Sequence, residues 1–265
     1  LNATTLVFSH ANGFPAGTYR VLFEAWRAAG HRVLALDKFG HDPKYPVSSN
    51  WTHLRDQLIH FIEREAGGPA VLVGHSLGGL LSLLAAAKRP DLAQGLVMLD
   101  SPLISGWRAH SVQVLKATRL MPRVSPGKVS RSRRHEWPSI DAVQAHFAKK
   151  AVFARWEPRV LQDYVQAGFE AGPAGNTVLA FDRAVETRIY DTVPHNLPEV
   201  LRRHPLRCPV GFLGGRQSVE LRHGGLEATR ALAKDRFVWM DGGHLFPMEK
   251  PDLTAAEVLR LIAGF

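Results

Sequence analysis

The 265-residue chain has a single cysteine, Cys208. An internal disulfide is therefore excluded, and the fold must stand on burial and hydrogen bonding. Cys208 lies beside Pro209 at the start of an apolar run, which reads as a packed thiol rather than a nucleophile. Long apolar runs are also missing. The longest, around Leu80 to Ala87, falls well short of the roughly 20 residues that cross a bilayer as a helix. No charged start, apolar centre and small-residue cleavage site marks a secretory leader, so the cytoplasm is the expected location. There is no H-E-x-x-H, no set of cysteines at metal-binding spacing and no G-x-x-x-x-G-K phosphate loop. The expectation is no metal and no cofactor. Internal repeats and low-complexity tracts are absent too.

What is present is a chain 45% hydrophobic, enough for one substantial core, with a formal net charge of +9. The densest basic run, "GKVSRSRRHEW" from Gly127 to Trp137, has no interleaved aromatics and no finger spacing. It reads as a solvated face, with an anion-docking site as the sharper alternative and no nucleic-acid partner expected.

Apolar runs of strand length alternate with helical patterns through the first hundred residues. "TTLVFS", "HRVLALD", "PAVLVG" and "GLVMLD" read as strands; "AGTYRVLFEAWRAAG", "SNWTHLRDQLIHFIEREAGG" and "LGGLLSLLAAAKRP" read as helices. Ser48, Ser49 or Asn50 is the expected cap of the second helix. Short Val- and Leu-rich strands separated by helices predict an α/β fold with a mostly parallel central sheet flanked by helices. The alternation resumes late, with "PVGFLGG", "GGLEATRALAKD", "RFVWMD" and "TAAEVLRLIAGF". Between these halves it breaks, giving helical pieces rich in Arg, His and aromatics. The expected organisation is a core part over 1–101, a helical insertion over 102–205 mounted on the sheet, and a second core part over 206–265.

Gly74-His75-Ser76-Leu77-Gly78 is G-x-S-x-G, set between a predicted strand and a predicted helix. A sharp strand-to-helix turn crowds the backbone, and the two glycines remove side chains that would clash. The Ser76 hydroxyl would then project at the positive end of the following helix. The plainer alternative is a serine that caps a helix. Three segments, "FSHANGFP", "VGHSLGG" and "DGGHLFPMEKP", resemble the α/β-hydrolase superfamily in its esterase-like, lid-bearing branch.

A serine hydroxyl needs a neighbour to take its proton, and histidine suits the task near neutral pH. Of 13 histidines, His244 follows the last predicted strand in a loop loosened by Gly242 and Gly243 and then stiffened by Pro247 and Pro251. The resemblance implies the base in such a loop. His75 is expected to pack under the elbow and His10 to shape the loop after the first strand. The resemblance further implies an oxyanion hole from the backbone N–H groups of Asn12 and Leu77, with Ala11 standing where the family has glycine. Gly13 and Phe14 also fit a tight turn there, so the register is open by a residue or two.

The acid is the weak point. The resembled family usually places it after the strand "PVGFLGG", where this chain has Ser218. Asp100, ending "GLVMLD", is the first substitute, since some members place the acid there and Ser76, Asp100, His244 keeps the family's chain order. Glu220 is the alternative acid, and a site with no conventional acid stays open.

The implied function is a serine hydrolase cleaving an ester or thioester through an acyl-enzyme. Alternatives are C–C bond hydrolysis, acyl transfer or perhydrolysis on the same groups, or a catalytically silent binding protein of the same fold. The insertion is implied to cover the serine. Trp107, Leu115, Leu120, Met121, Trp137, Phe147, Phe153, Trp156 and Phe169 supply its apolar surface, most of it as lid core. The expected partner is a small molecule with an apolar part, for which the basic insertion leaves room for an anionic group. The oligomeric state is open.

Overall fold

A computed structural model describes residues 3–265. In the first half, strands β1 (Thr5–Ser9), β2 (Arg32–Ala35), β3 (Ala70–His75) and β4 (Ala93–Leu99) alternate with helices α1 (Arg20–Ala28), α2 (Thr52–Glu65) and α3 (Leu77–Lys88). The middle stretch carries α4 (Gly106–Ala117), α5 (Met121–Val124), α6 (Gly127–Ser132), α7 (Ile140–Ala148), α8 (Pro158–Ala167), α9 (Arg183–Asp191) and α10 (Leu197–Arg203). Among them lie the short strands β5 (Glu136–Trp137), β6 (Phe169–Ala171) and β7 (Thr177–Leu179). The chain closes with β8 (Val210–Gly215), α11 (Val219–Gly224), α12 (Leu226–Ala233), β9 (Phe237–Met240), α13 (Phe246–Glu249) and α14 (Pro251–Ile262).

The main sheet has the order β2-β1-β3-β4-β8-β9, and every neighbouring pair is parallel. This is the expected sheet, with each of its six strands where the apolar runs fall. Parallel strands need both faces covered. Phe8, Leu22, Trp26 and Val258 pack on one face, under α1 and α14. Leu58, Ile62, Leu81 and Leu84 pack on the other, under α2 and α3. Strand register sets where the connecting loops emerge. Ser9 pairs with Gly74, His75 with Leu99, Leu99 with Leu213 and Gly215 with Met240. Five strands therefore end level, and the loops after them meet at one edge of the sheet.

Three local expectations are corrected. The helix expected from Ala16 begins as a 3₁₀ turn, Ala16–Tyr19, before α1. α2 is preceded by Trp51 rather than by Ser48, Ser49 or Asn50, and Asn50 and Trp51 both have left-handed backbones, φ 59° and 56°; from further back, the Ser48 hydroxyl still accepts from His53 N–H in the first turn at 3.4 Å. Tertiary contacts shape the entry to this helix, because the buried Trp51 indole donates to the Ile189 carbonyl at 3.0 Å and Asn50 N–H to that of Thr192 at 3.0 Å. The middle stretch is not purely helical, since β5, β7 and β6 form an antiparallel sheet. Its aromatics Trp137, Phe147, Tyr164 and Phe169 pack edge-on and join the α1 side of the core. Two of the apolar residues expected to line or fill it do neither: Trp107 is 71% exposed and Leu120 38%. Cys208 is half-buried, and burial pushes its thiol pKa up.

Candidate active site

Ser76 sits between β3 and α3 with φ 53° and ψ −114°, a backbone that L-residues rarely adopt. The glycines around it are dictated by space. A Cβ on Gly78 would lie 1.9 Å from the Ser9 carbonyl oxygen, and one on Gly74 would lie 2.3 Å from the backbone of Gly78. β1, β3 and α3 thus approach at backbone distance, and the turn is locked by Ser76 N–H donating to the Leu99 carbonyl at 2.9 Å.

His244, on the loop after β9, brings its Nε2 to 2.9 Å from the Ser76 hydroxyl. Its Nδ1 lies 2.7 Å from Asp100 Oδ2. Asp100 follows β4 with φ 44° and is fully buried. Its Oδ1 accepts from Gly215 N–H at 2.7 Å, and its Oδ2 also accepts from the Ser218 hydroxyl at 2.5 Å. Because the carboxylate only accepts, Nδ1 carries the ring proton and Nε2 is left as an acceptor for the serine. Ser218, where the sequence resemblance leads one to expect the acid, instead donates to Asp100 and accepts from Leu221 N–H at 3.0 Å. Glu220 is exposed and comes no closer to a partner than 3.5 Å, at Ser218 Oγ. Asp100, not Glu220, is the carboxylate brought to His244.

Burial of the His244 ring disfavours its charged form. The Asp100 hydrogen bond and charge, with the nearby Glu220 charge, outweigh it and raise the pKa above 6.5. Asp100, Glu220 and His244 are also the described residues whose ligand atoms cluster, within 4.8 Å of one another, closely enough to hold a divalent ion. Asp100 already accepts three hydrogen bonds there, so an ion would compete with those donors.

After β1 the chain makes a turn in which Phe14 N–H donates to the Ala11 carbonyl at 3.1 Å, with Gly13 at φ 83° in the third position. That is the position where a type II turn requires glycine. The Ala11 carbonyl accepts a second bond from His10 Nδ1–H at 2.8 Å, while His10 Nε2 accepts Phe39 N–H at 3.0 Å. Burial takes His10 down to about 4, so the ring is neutral and the tautomer follows from these partners. In a trans peptide the N–H points opposite to the C=O. Two donors on the Ala11 carbonyl therefore aim the Asn12 N–H away from them. The Leu77 N–H opens the first turn of α3. Neither amide has a partner among the described residues. The Asn12 side chain donates to the Glu186 carbonyl at 2.9 Å, tying this turn to α9.

Two cavities share Ser76 and His244. One, of about 420 Å³, has walls of Trp51, Leu80, Ile104, Val112, Met121 and Ile189, with Arg108 and His223 also reaching it. The other, of about 510 Å³, is lined by Arg155, Gln217, Glu249 and Leu245. Asn12, Tyr190 and Glu220 border both. Of the nine apolar residues expected from the middle stretch, Met121 reaches the first cavity, and the rest of that wall comes from residues that periodicity does not distinguish. Tyr190 is another omission; no motif marks it.

The profile of the alpha/beta hydrolase family matches residues 6–257. The chain belongs to the alpha/beta hydrolase family. This chain is 34% identical to a monoglyceride lipase of Rattus norvegicus over 140 residues, which cover 48% of this chain and 46% of the relative. It spans about half the length of the curated relatives it matches. Among solved structures, an E-2-(acetamidomethylene)succinate hydrolase superposes with a TM-score of 0.75 at 23% identity, covering 98% of this chain and 91% of that one. A thioesterase domain from the curacin biosynthetic pathway superposes with a TM-score of 0.75 at 19% identity, covering 98% and 92%. These last two likenesses are of fold. No helix among the described residues is long and apolar enough to cross a membrane.

Proposed function

We propose that this hydrolase cleaves a carboxylic ester or thioester through an acyl-enzyme on Ser76. The observation that carries the reading is the unbroken line from the Ser76 hydroxyl through His244 to the buried Asp100, with contacts of 2.9 and 2.7 Å. The Ser76 oxygen attacks the carbonyl carbon while its proton passes to His244 Nε2. The oxyanion that forms accepts from the Asn12 and Leu77 amides, each worth about 3 kcal/mol to the transition state. Asp100 stabilises the imidazolium and keeps its Nδ1 proton in place. The C–O or C–S bond then breaks, and Nε2 returns its proton to the departing alcohol or thiol. Water gives a proton to Nε2 and attacks the acyl carbon; the bond from that carbon to the Ser76 oxygen then breaks, Nε2 returns its proton to that oxygen, and the acid leaves.

The apolar cavity suits an acyl group with a hydrocarbon or aryl body, and the second cavity suits the leaving group. Residues 102–205 act as the lid in this reading, since Ile104, Val112, Met121 and Ile189 wall the apolar cavity. Arg108 at that cavity would accommodate an anionic group on the substrate. The test uses a fluorophosphonate probe and short p-nitrophenyl esters on the wild type and Ser76→Ala. Labelling and turnover that vanish together in Ser76→Ala are expected. Labelling that persists points to another nucleophile, and a wild type that neither labels nor turns over sinks the reading in favour of a silent binding protein.

A further inference from the structure

The mechanism leaves unused a buried line of polar groups beneath the elbow. Ala11 N–H lies 3.1 Å from the Tyr19 hydroxyl, that hydroxyl lies 2.8 Å from His75 Nδ1, and His75 Nε2 lies 2.9 Å from the backbone carbonyl of His244. Ala11 and Tyr19 are each 2% exposed and His75 is fully buried. Donor logic fixes every direction. The His244 carbonyl can only accept, so Nε2 carries the His75 proton. With the ring neutral, Nδ1 must accept, so the Tyr19 hydroxyl donates to it. The Ala11 amide can only donate, so the Tyr19 oxygen accepts from it. Burial first, and then the neighbouring His244 ring, hold the His75 pKa well below its ordinary value, which keeps the ring neutral. No member of the line can reverse without leaving a buried donor or acceptor unpaired.

From this juxtaposition we infer that Tyr19 and His75 are positioning residues, holding the oxyanion turn and the backbone of the base in one geometry. The inference rests on the serine-hydrolase reading above. At one end the line grips Ala11, the residue whose carbonyl shares a peptide plane with the Asn12 N–H. At the other it grips His244 from below, while Asp100 grips the ring at Nδ1. Two anchors on one residue leave Nε2 little freedom except toward Ser76. His75 itself is bonded into the chain next to the nucleophile, so the turn, the nucleophile and the base move as one unit. Neither Tyr19 nor His75 lines either cavity at Ser76; they act through the groups they hold.

Tyr19→Phe removes one oxygen and keeps the ring that packs on Phe8, with centroids 4.5 Å apart. His75→Leu removes both polar atoms, and His75→Gln restores one donor and one acceptor on a similar span. Each is measured with p-nitrophenyl butyrate and a fluorophosphonate probe at 25 °C, after circular dichroism has fixed the folded fraction. Per folded molecule, kcat is expected to fall about 10–100-fold in Tyr19→Phe and His75→Leu, with KM within about threefold and labelling slowed in step. His75→Gln is expected to recover most of the loss. A Tyr19→Phe enzyme that keeps kcat and labelling within about twofold overturns the inference, as does a loss of rate that merely tracks the unfolded fraction. A wild type that the probe does not label, or a Ser76→Ala variant that labels equally, overturns the underlying reading instead.

Discussion

Asp100 shows how much one residue's surroundings decide. It is buried with no cationic side chain paired to it among the described residues, and accepts from Gly215 N–H, the Ser218 hydroxyl and the His244 ring. Asp100→Asn is therefore expected to lower kcat on a short ester by about 10³–10⁴-fold, because an amide can donate to Nδ1 and favours the wrong tautomer. Glu220→Gln should stay within about threefold at pH 8, since Glu220 makes no hydrogen bond to the ring. The same pair sets the pH response. On the proposed mechanism His244 works as a base only when neutral, and its pKa lies above 6.5 because Asp100 and Glu220 favour the imidazolium. Activity is thus fully present above that raised value and is lost as pH falls through it. A pH–rate profile of kcat/KM should place the acid limb above 6.5 in the wild type and lower in Glu220→Gln. A limb that does not move on that substitution would rule out the Glu220 contribution. The sequence resemblance puts Asp100 ahead of Glu220, but the contacts that hold it are not legible there: Gly215 and Ser218 lie more than a hundred positions on, and only the β4–β8 pairing brings them over it.

At the scale of elements, the elbow is a junction of backbones rather than of side chains. Gly78→Ala would set a methyl 1.9 Å from the Ser9 carbonyl oxygen, on strand backbone that cannot step aside. Its cost should exceed the roughly 1–3 kcal/mol of ordinary overpacking, and a urea titration against the wild type would read it as a lower midpoint. The elements themselves were largely legible, because six short Val- and Leu-rich runs have no other use than buried parallel strands. The exceptions share one cause. Trp51 stands between the expected cap and α2 because the carbonyl of Ile189, 138 residues away, accepts from its indole N–H. β5, β6 and β7 were missed because strands of two or three residues carry no period to read.

At the scale of the whole molecule, the middle stretch is tied to the first core part by the Asn12 amide on the Glu186 carbonyl and by Arg20 on Asp163, and it is braced within itself by Arg133. Arg133 pairs with Glu186 at 2.7 Å and donates to the Tyr164 hydroxyl at 3.2 Å, behind the Gly13 turn. Arg133→Met should cost about 3–5 kcal/mol in chemical denaturation by leaving the Glu186 carboxylate buried alone, whereas Arg133→Met with Glu186→Leu should cost markedly less. Equal losses in the two would show that the charge pair is not what Arg133 contributes. The level strand ends have a longer reach. Ser76, Asp100 and His244 are placed by sheet register, while Ile104, Val112, Met121 and Ile189 come from the stretch between the halves. On the proposed reading, much of the apolar wall is thus mutable apart from the reacting groups, and a lineage of such proteins could drift toward new acyl groups without rebuilding its reactive centre.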